Sequence, residues 1–382
     1  MRARSLFAHA GMALVALSCA TLGDEGPGGV NLPTSGMGPF RKLGEDEAQG
    51  IPPYVLDGVN AKYREPSALA LDADPASARV ALYVTASEIV KGFYHSVIMR
   101  THADDARSFF GTSLDPTNGD APKVVLSADA EWEGGEGGDV HSPSAMRVGA
   151  SVYLYYAAAG GIGLATSTDG LTFTKRAAPV LATDVPLTWE TTAPTEPSVA
   201  VFPNGVWHMF YAAANSIGEA TSPDGITWTR ADADPSTPAT IDPVFSPFPF
   251  DVSTLAGDAS PPFDSGQVAD PFVSPRTTAA GRVQVRVLYT GYDALPGAKT
   301  RASAIGFAAR YGDSGPLVRS VTPVYSVGKH EAGPTLFDWS VGTMLYVGQD
   351  GSTTTPVYSA IAAAIAPASI TLDMPKTYAA GP

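Results

Sequence analysis

Residues 196–230 read EPSVAVFPNGVWHMFYAAANSIGEATSPDGITWTR. Four short runs of β-forming residues stand out: SVAVF, VWHMFYAAA, IGEATS and ITWTR. Turn chemistry separates them at Pro203-Asn204-Gly205, at Asn215-Ser216 and at Pro223-Asp224-Gly225. An Asp-Gly pair reaches the positive φ angles of a tight hairpin with little strain, so Asp224-Gly225 is a strong signal for the connection between two strands. Four antiparallel strands in so short a stretch make one small sheet with two apolar faces. Such a sheet needs neighbours to cover them.

The chain repeats the unit. Residues 142–176, SPSAMRVGASVYLYYAAAGGIGLATSTDGLTFTKR, match it closely, with IGLATSTDGLTFTK against IGEATSPDGITWTR. Looser copies emerge once the opening x-Pro dipeptide is used as a marker. Glu65-Pro66-Ser67 leads to VALYVTAS, Asp270-Pro271-Phe272 to VQVRVLYTGYDA and AIGFAAR, and Gly333-Pro334-Thr335 to TMLYVGQD and YSAIAAAIA. The alanines of SAIAAAIAPAS suit a helix, but alignment with SAIGFAAR makes this a strand. The prolines 66, 143, 197, 271 and 334 are 77, 54, 74 and 63 residues apart. Five four-stranded antiparallel sheets in series predict an all-β chain, a five-bladed β-propeller over residues 51–382. Residues near Tyr54-Val55-Leu56 are placed to pair with the last blade and tie the two ends together.

Residues 1–20 read as a targeting segment. Arg2 and Arg4 precede a short apolar core, LFAHAGMALVAL, which is too short to span a membrane. Ala16-Leu17-Ser18-Cys19 resembles a bacterial lipoprotein box with its Leu displaced by one position, so Cys19 is the expected lipidation site. Simple cleavage after the small-x-small Ser18-Cys19-Ala20 is the other reading. Cys19 is the only cysteine of the chain, so there is no disulfide framework. Residues 21–50 are Gly-, Pro- and acid-rich and read as a flexible tether. The expectation is an exported monomer: a lipoprotein on the outer membrane or cell surface, or a periplasmic or secreted protein. The membrane is met only through the anchor.

The formal net charge is −14. That argues against nucleic acid, which is bound through clustered Lys and Arg, and fits a neutral or polyhydroxylated partner as well as it fits mere solubility. No Gly-x-Ser-x-Gly elbow, phosphate-cradling loop or dinucleotide fingerprint occurs in the required strand-to-helix setting.

The first strand of a propeller blade lines the central channel and starts near one mouth. The residues before the five prolines therefore form a ring: Glu65, Ser142, Glu196, Asp270 and Gly333. An acid at a strand start often does no more than accept backbone N–H groups. Three carboxyls converging on one axis also raise one another's pKa, as a proton donor requires.

With its x-Pro blade openings and the paired units IGLATSTDGLTFTK and IGEATSPDGITWTR, the chain resembles the five-bladed propellers of glycoside hydrolase family 43 and its relatives, the arabinanases, levansucrase and invertase. The resemblance implies inverting hydrolysis of a glycosidic bond. It makes the blade-one acid, Glu65, the general base and the blade-three acid, Glu196, the general acid, with Asp270 beside them. Blades one and three are about 1.6 times as far apart as adjacent blades in a five-fold ring, which suits the roughly 6.5–9.5 Å that inversion requires. Two departures stand out. Blade one has Glu where the family has Asp, and blade two has Ser142 where the family has a pKa-tuning acid. Asp139 and His141, just upstream, are the candidate replacements. The alternative is a catalytically silent propeller that binds glycan or protein through the same mouth.

Trp132, Trp189 and Phe263 precede blade starts and are candidate sugar platforms. Tyr155, Tyr156, Trp207, Tyr211 and Trp228 lie within strands and are expected to pack between blades. His330 opens blade five, and the family often places an axial histidine where it helps hold calcium or water. A structural calcium at His330 or Glu331 is therefore a candidate, and no cofactor is otherwise required. Asp169 and Asp224 are turn formers, not catalytic acids.

Overall fold

Each x-Pro dipeptide marks a β-bulge. In a computed structural model, the register between the first two strands of every blade slips at this point: between Arg64 and Ser67, His141 and Ser144, Thr195 and Ser198, Ala269 and Phe272, and Ala332 and Thr335. The residue before each proline has left-handed backbone, with φ of 51° at Glu65, 50° at Ser142, 53° at Glu196, 47° at Asp270 and 62° at Gly333. A bulge of this kind needs one left-handed residue, a role glycine usually fills. Here four of the five are not glycine. Proline then suits the second position because it has no N–H to leave unpaired.

The structure describes residues 40–43, 55–56, 62–90, 93–109, 122–183, 189–237, 241–251, 253, 261–294, 302–328, 330–340, 342–350, 358–367 and 372. The targeting segment with Cys19, most of the tether, and Tyr54 lie outside them. A first short strand, β1 (Arg41–Lys42), precedes the blades. Blade one comprises β2 (Tyr63–Ala70), β3 (Val80–Val90), β4 (Phe93–Ala103) and β5 (Lys123–Leu126). Blade two has β6 (Val140–Val148), β7 (Ser151–Ala158) and β8 (Gly161–Ser167), with both β9 (Thr174–Lys175) and β10 (Leu181–Ala182) on its outer edge. Blade three is β11 (Thr195–Val201), β12 (Trp207–Ala213), β13 (Ser216–Ser222) and β14 (Thr229–Ala231). Blade four is β15 (Gln267–Thr277), β16 (Val283–Tyr292), β17 (Ser303–Tyr311) and β18 (Val318–Arg319). Blade five takes β19 (Ala332–Trp339), β20 (Gly342–Asp350) and β21 (Tyr358–Pro367) from the end of the chain, so its alanine-rich segment is indeed a strand.

Ring closure joins the two ends of the chain. Arg41–Lys42, which the sequence reading gave to the tether, forms the outermost strand of blade five by pairing with β21. Val55 and Leu56 add backbone hydrogen bonds to Ile361, as the sequence suggested.

Blades pack face to face, so a strand between two neighbours is buried throughout, as in WHMFYAA of β12. Each of the five interfaces holds one apolar cluster. The two-residue period of a strand divides its side chains between neighbours. In β3, Val80, Leu82 and Val84 face blade five, whereas Ala81 and Tyr83 face blade two.

Hydrogen bonds also link the inner strands. Ser67 Oγ accepts the N–H of Ala145, Ser144 Oγ that of Val199, and Ser198 Oγ that of Val273. Thr335 Oγ1 takes the N–H of Ala68, carrying the pattern across the closure. The hydroxyl residue that follows each bulge proline is thus a strut to the next blade. Blade four carries Phe272 instead.

The Asp-Gly pairs do not form two-residue hairpins. Asp169 Oδ1 accepts the N–H groups of Leu171 and Thr172, and Asp224 Oδ1 those of Ile226 and Thr227, all at 2.8 Å. A side-chain-capped loop results, and it shortens the expected ITWTR strand to Thr229–Ala231. The glycine carbonyl accepts a tyrosine hydroxyl from the preceding blade, Tyr83 to Gly170 and Tyr155 to Gly225. Asp105-Ala106 is the blade-one counterpart: Asp105 caps Arg107 and Ser108, and Ala106 accepts from Tyr346.

Candidate active site

Four of the five bulges bring Glu65, Ser142, Glu196 and Asp270, with their prolines, around a cavity of about 30 Å³, room for a water molecule or two, and the fifth, at Gly333, packs against Glu65. The ring expected from sequence is therefore formed at one mouth. Each acid reaches toward the next blade. Glu65 Oε2 accepts the N–H of Ser142 at 2.9 Å and the hydroxyl of Thr85 at 2.6 Å, and Thr85 itself accepts the same N–H at 2.8 Å. Glu196 Oε2 accepts the N–H of Asp270 at 2.7 Å. Asp270 Oδ2 accepts the hydroxyl of Thr290 at 2.8 Å, and Thr290 takes the N–H of Gly333 at 3.0 Å.

The electrostatics of the acids differ. Burial alone would raise Glu65, but Arg64, His141 and the hydrogen bonds from Thr85 and Ser142 outweigh it and hold the carboxyl below its usual range. Arg64 Nε lies 3.3 Å from Glu65 Oε1. Glu196 is pushed well above the usual range, first by burial and then by Asp270 beside it. Asp270 is raised to about 7 by burial and by the charge of Glu65. An ionised carboxylate and a protonated one thus line the same cavity.

In blade two, His141 Nδ1 lies 2.9 Å from Ser142 Oγ and 3.9 Å from Glu65 Oε2. Burial lowers its pKa, while the charge of Glu65 works in the opposite direction. Asp139 faces outward and accepts the N–H of Ser96 at 2.6 Å. It thereby holds the β3–β4 hairpin, whose strands run beyond the ring in blade one. Arg64 Nη2 donates to Ser96 Oγ at 3.0 Å, so the same hairpin is fastened to Glu65 through Arg64. Tyr94, on this hairpin, is 72% exposed. Sequence reasoning missed Thr85, Thr290, Arg64 and Tyr94. The two threonines occupy matching places in the second strands of blades one and four, the only signal that marks them.

The aromatic candidates are committed to the fold. Trp132, Trp189 and Phe263 each begin an aromatic–acid dipeptide that folds back on its own blade. Their rings lie 5.9, 6.0 and 6.2 Å from those of Tyr156, Tyr211 and Tyr289. The acids Glu133, Glu190 and Asp264 accept the three tyrosine hydroxyls and pair with Lys175, Arg230 and Arg319. Glycine is required beneath: a Cβ at Gly163 would come within 2.6 Å of Trp132, and one at Gly218 equally close to Trp189.

His330 has left-handed backbone, with φ 52°, is half-buried and is not among the residues that line the cavity. The donors near it do not fit a cation. Glu331 is fully buried, and its carboxylate takes the N–H of Val327 and the hydroxyl of Ser326. Among the described residues no three His, Cys, Asp or Glu side chains are grouped to hold a metal.

No family model matches the chain, and no curated protein is similar to it in sequence. Its fold is shared with solved structures. A glycoside hydrolase family 130 structure, from work on β-1,2-mannosidic linkages in Candida mannan, is 16% identical with a TM-score of 0.60, over 88% of this chain and 96% of that one. A thermostable family-43 glycoside hydrolase is 14% identical with a TM-score of 0.51, over 81% and 89%. The endo-arabinase of Bacteroides thetaiotaomicron is 12% identical with a TM-score of 0.51, over 82% and 96%. The chain is a five-bladed propeller of the type these glycoside hydrolases share.

Proposed function

We propose that the protein acts on carbohydrate and hydrolyses a glycosidic bond with inversion, with Glu196 as general acid and Glu65 as general base. The observation that carries this reading is the opposite displacement of two carboxyls on one cavity, Glu65 held ionised and Glu196 held protonated. Environments that push two carboxyl pKa values apart assign the acid and the base. Glu196 donates its proton to the leaving oxygen while Glu65 takes one from water on the opposite face of the sugar. Asp270 helps keep Glu196 protonated, and Arg64 and His141 help keep Glu65 charged. The fold likeness to carbohydrate-acting proteins supports the substrate class.

A second reading, a silent glycan-binding propeller, is favoured by one observation. Each acid is also a clamp on the next blade's backbone, and Ser142 stands where an acid is expected. A screen of aryl glycosides and plant and microbial polysaccharides separates the two, with Glu196→Gln as control. Turnover that falls at least about a hundredfold in the variant, while the variant remains folded, supports the acid role. Turnover that survives removes it. Glycan binding without turnover establishes the second reading.

Export through residues 1–20 and lipid attachment at Cys19 belong to the same proposal. Cys19→Ala is expected to move the protein from the membrane fraction to the soluble one.

A further inference from the structure

One position in the second strand of each blade changes along the chain in step with the acids. Opposite the residue that precedes each left-handed one stand Thr85, Ala157, Ala212, Thr290 and Gly348, in blades one to five. Strand alternation turns this position toward the following blade. Tyr83 shares a face with Thr85 and meets blade two, Phe210 shares one with Ala212 and meets blade four, and Leu288 shares one with Thr290 and meets blade five. The position therefore lies beside the contact that each acid makes with its neighbour.

Glu65 and Glu196 are the same residue type in the same left-handed backbone. Each accepts the N–H of the next blade's bulge residue, at 2.9 Å from Ser142 and at 2.7 Å from Asp270. The second-strand position separates them. Thr85 donates its hydroxyl to Glu65 Oε2 at 2.6 Å, and its oxygen accepts the Ser142 N–H at 2.8 Å. With that N–H on the threonine oxygen, the hydroxyl hydrogen points to Glu65. Two donors thus converge on Oε2, which favours a charged oxygen. Thr290 repeats the arrangement in blade four, donating to Asp270 Oδ2 and accepting from Gly333. There burial and the charge of Glu65 outweigh the hydroxyl. Ala212 has no hydroxyl to give Glu196.

We infer that Thr85 is a positioning residue whose hydroxyl fixes Glu65 as the proton acceptor of the mouth, and that its counterpart Ala212, by lacking one, leaves Glu196 as the proton donor. These roles rest on the hydrolytic reading of the two glutamates and supply the device that tells them apart. Other charges face the same carboxyls. Around Glu65 they are Arg64 on its own strand, His141 from blade two with Asp139 behind it, and Glu196 and Asp270 across the cavity. Around Glu196 they are Asp270, Glu65 and Arg64. A substitution at position 85 or 212 leaves all of these charges in place.

The test is a carboxyl-carbon NMR titration of the whole chain carrying isotope-labelled glutamate. The two signals are identified by their loss in Glu65→Gln and Glu196→Gln. Thr85→Val and Thr85→Ala are expected to raise the proton affinity of Glu65 about tenfold, the worth of a hydrogen bond to a charged group. In both, Glu65 still accepts the Ser142 N–H, so no donor is stranded. Thr85→Ser should restore the parent titration. Ala212→Ser adds a single oxygen and should lower the proton affinity of Glu196 about tenfold, which keeps the test open if a Thr85 variant fails to fold. An unchanged Glu65 titration in Thr85→Val and Thr85→Ala would overturn the role of Thr85. A shift as large in Thr85→Ser would trace the effect to packing and overturn it too. An unmoved Glu196 in Ala212→Ser would overturn the role of Ala212. The titration needs no substrate, so an absence of turnover counts against the hydrolytic reading while these shifts still decide what sets the two protonation states.

Discussion

Glu196 crosses a blade interface to accept the backbone N–H of Asp270 at 2.7 Å, and Asp270 is the next carboxyl on the same cavity. One acid therefore positions the other while repelling its charge.

That repulsion, added to burial, makes the ring sensitive to pH. The unfolded chain releases its carboxyl protons near about 4, whereas the folded chain holds that of Asp270 to about 7. Between these values the unfolded state binds fewer protons, so the contribution of the Glu196–Asp270 pair to stability falls as pH rises. Glu65 behaves oppositely: its lowered pKa contributes stability that is lost as pH falls. Glu196→Gln is expected to lessen the decline in unfolding temperature between about pH 4 and 7. Parallel curves for variant and parent would contradict the pairing.

Removing one strut tests the stitching between blades. Ser198→Ala leaves the N–H of Val273 buried without its acceptor, at a cost of about 1–3 kcal/mol. Urea unfolding measures it, and a change near zero would mean that the strut contributes nothing.

Ala106 occupies, at φ 59°, the place that Gly170 and Gly225 hold in blades two and three. Ala106→Gly is expected to stabilise the protein by about 1 kcal/mol through relief of left-handed strain. Gly225→Ala should do the reverse and more, because its Cβ would lie 2.7 Å from the Trp207 ring and 2.8 Å from the Tyr155 hydroxyl. Chemical denaturation of both variants checks the opposite signs.

Tyr94 is an exposed aromatic on the hairpin that Asp139 and Arg64 fasten to the mouth. An aromatic contact is worth about 0.5–1.5 kcal/mol, so Tyr94→Ala should weaken sugar binding or raise KM roughly two- to tenfold. Stability should stay within about 0.5 kcal/mol of the parent. Unchanged binding would remove Tyr94 from the recognition surface.

The five prolines located all five bulges because proline and left-handed backbone leave a local mark on the sequence. Blade number, strand order and the convergence of Glu65, Glu196 and Asp270 follow from that repeat. What the acids do next is not local. Whether Glu65 clamps Ser142 depends on a blade that begins far along the chain, and Thr85 gives no sign of its bridging role. Trp132 and Trp189 look like free platforms until Tyr156 and Tyr211 are in place beside them. Asp224-Gly225 does connect β13 to β14, as its turn chemistry predicts, but through a longer loop than a tight hairpin. The Asp side chain competes for the backbone N–H groups that a two-residue hairpin would have used.

Since Arg41 and Lys42 pair with β21, the earliest described strand gains its partner only when the last has been made. A ribosome has therefore produced all five blades before the circle can be sealed. A truncated product is left as an open arc, with Val80, Leu82 and Val84 of blade one bare on the side where blade five belongs. Such an arc presents an apolar sheet face to any similar fragment nearby, so chains that terminate early are expected to aggregate rather than persist as smaller rings.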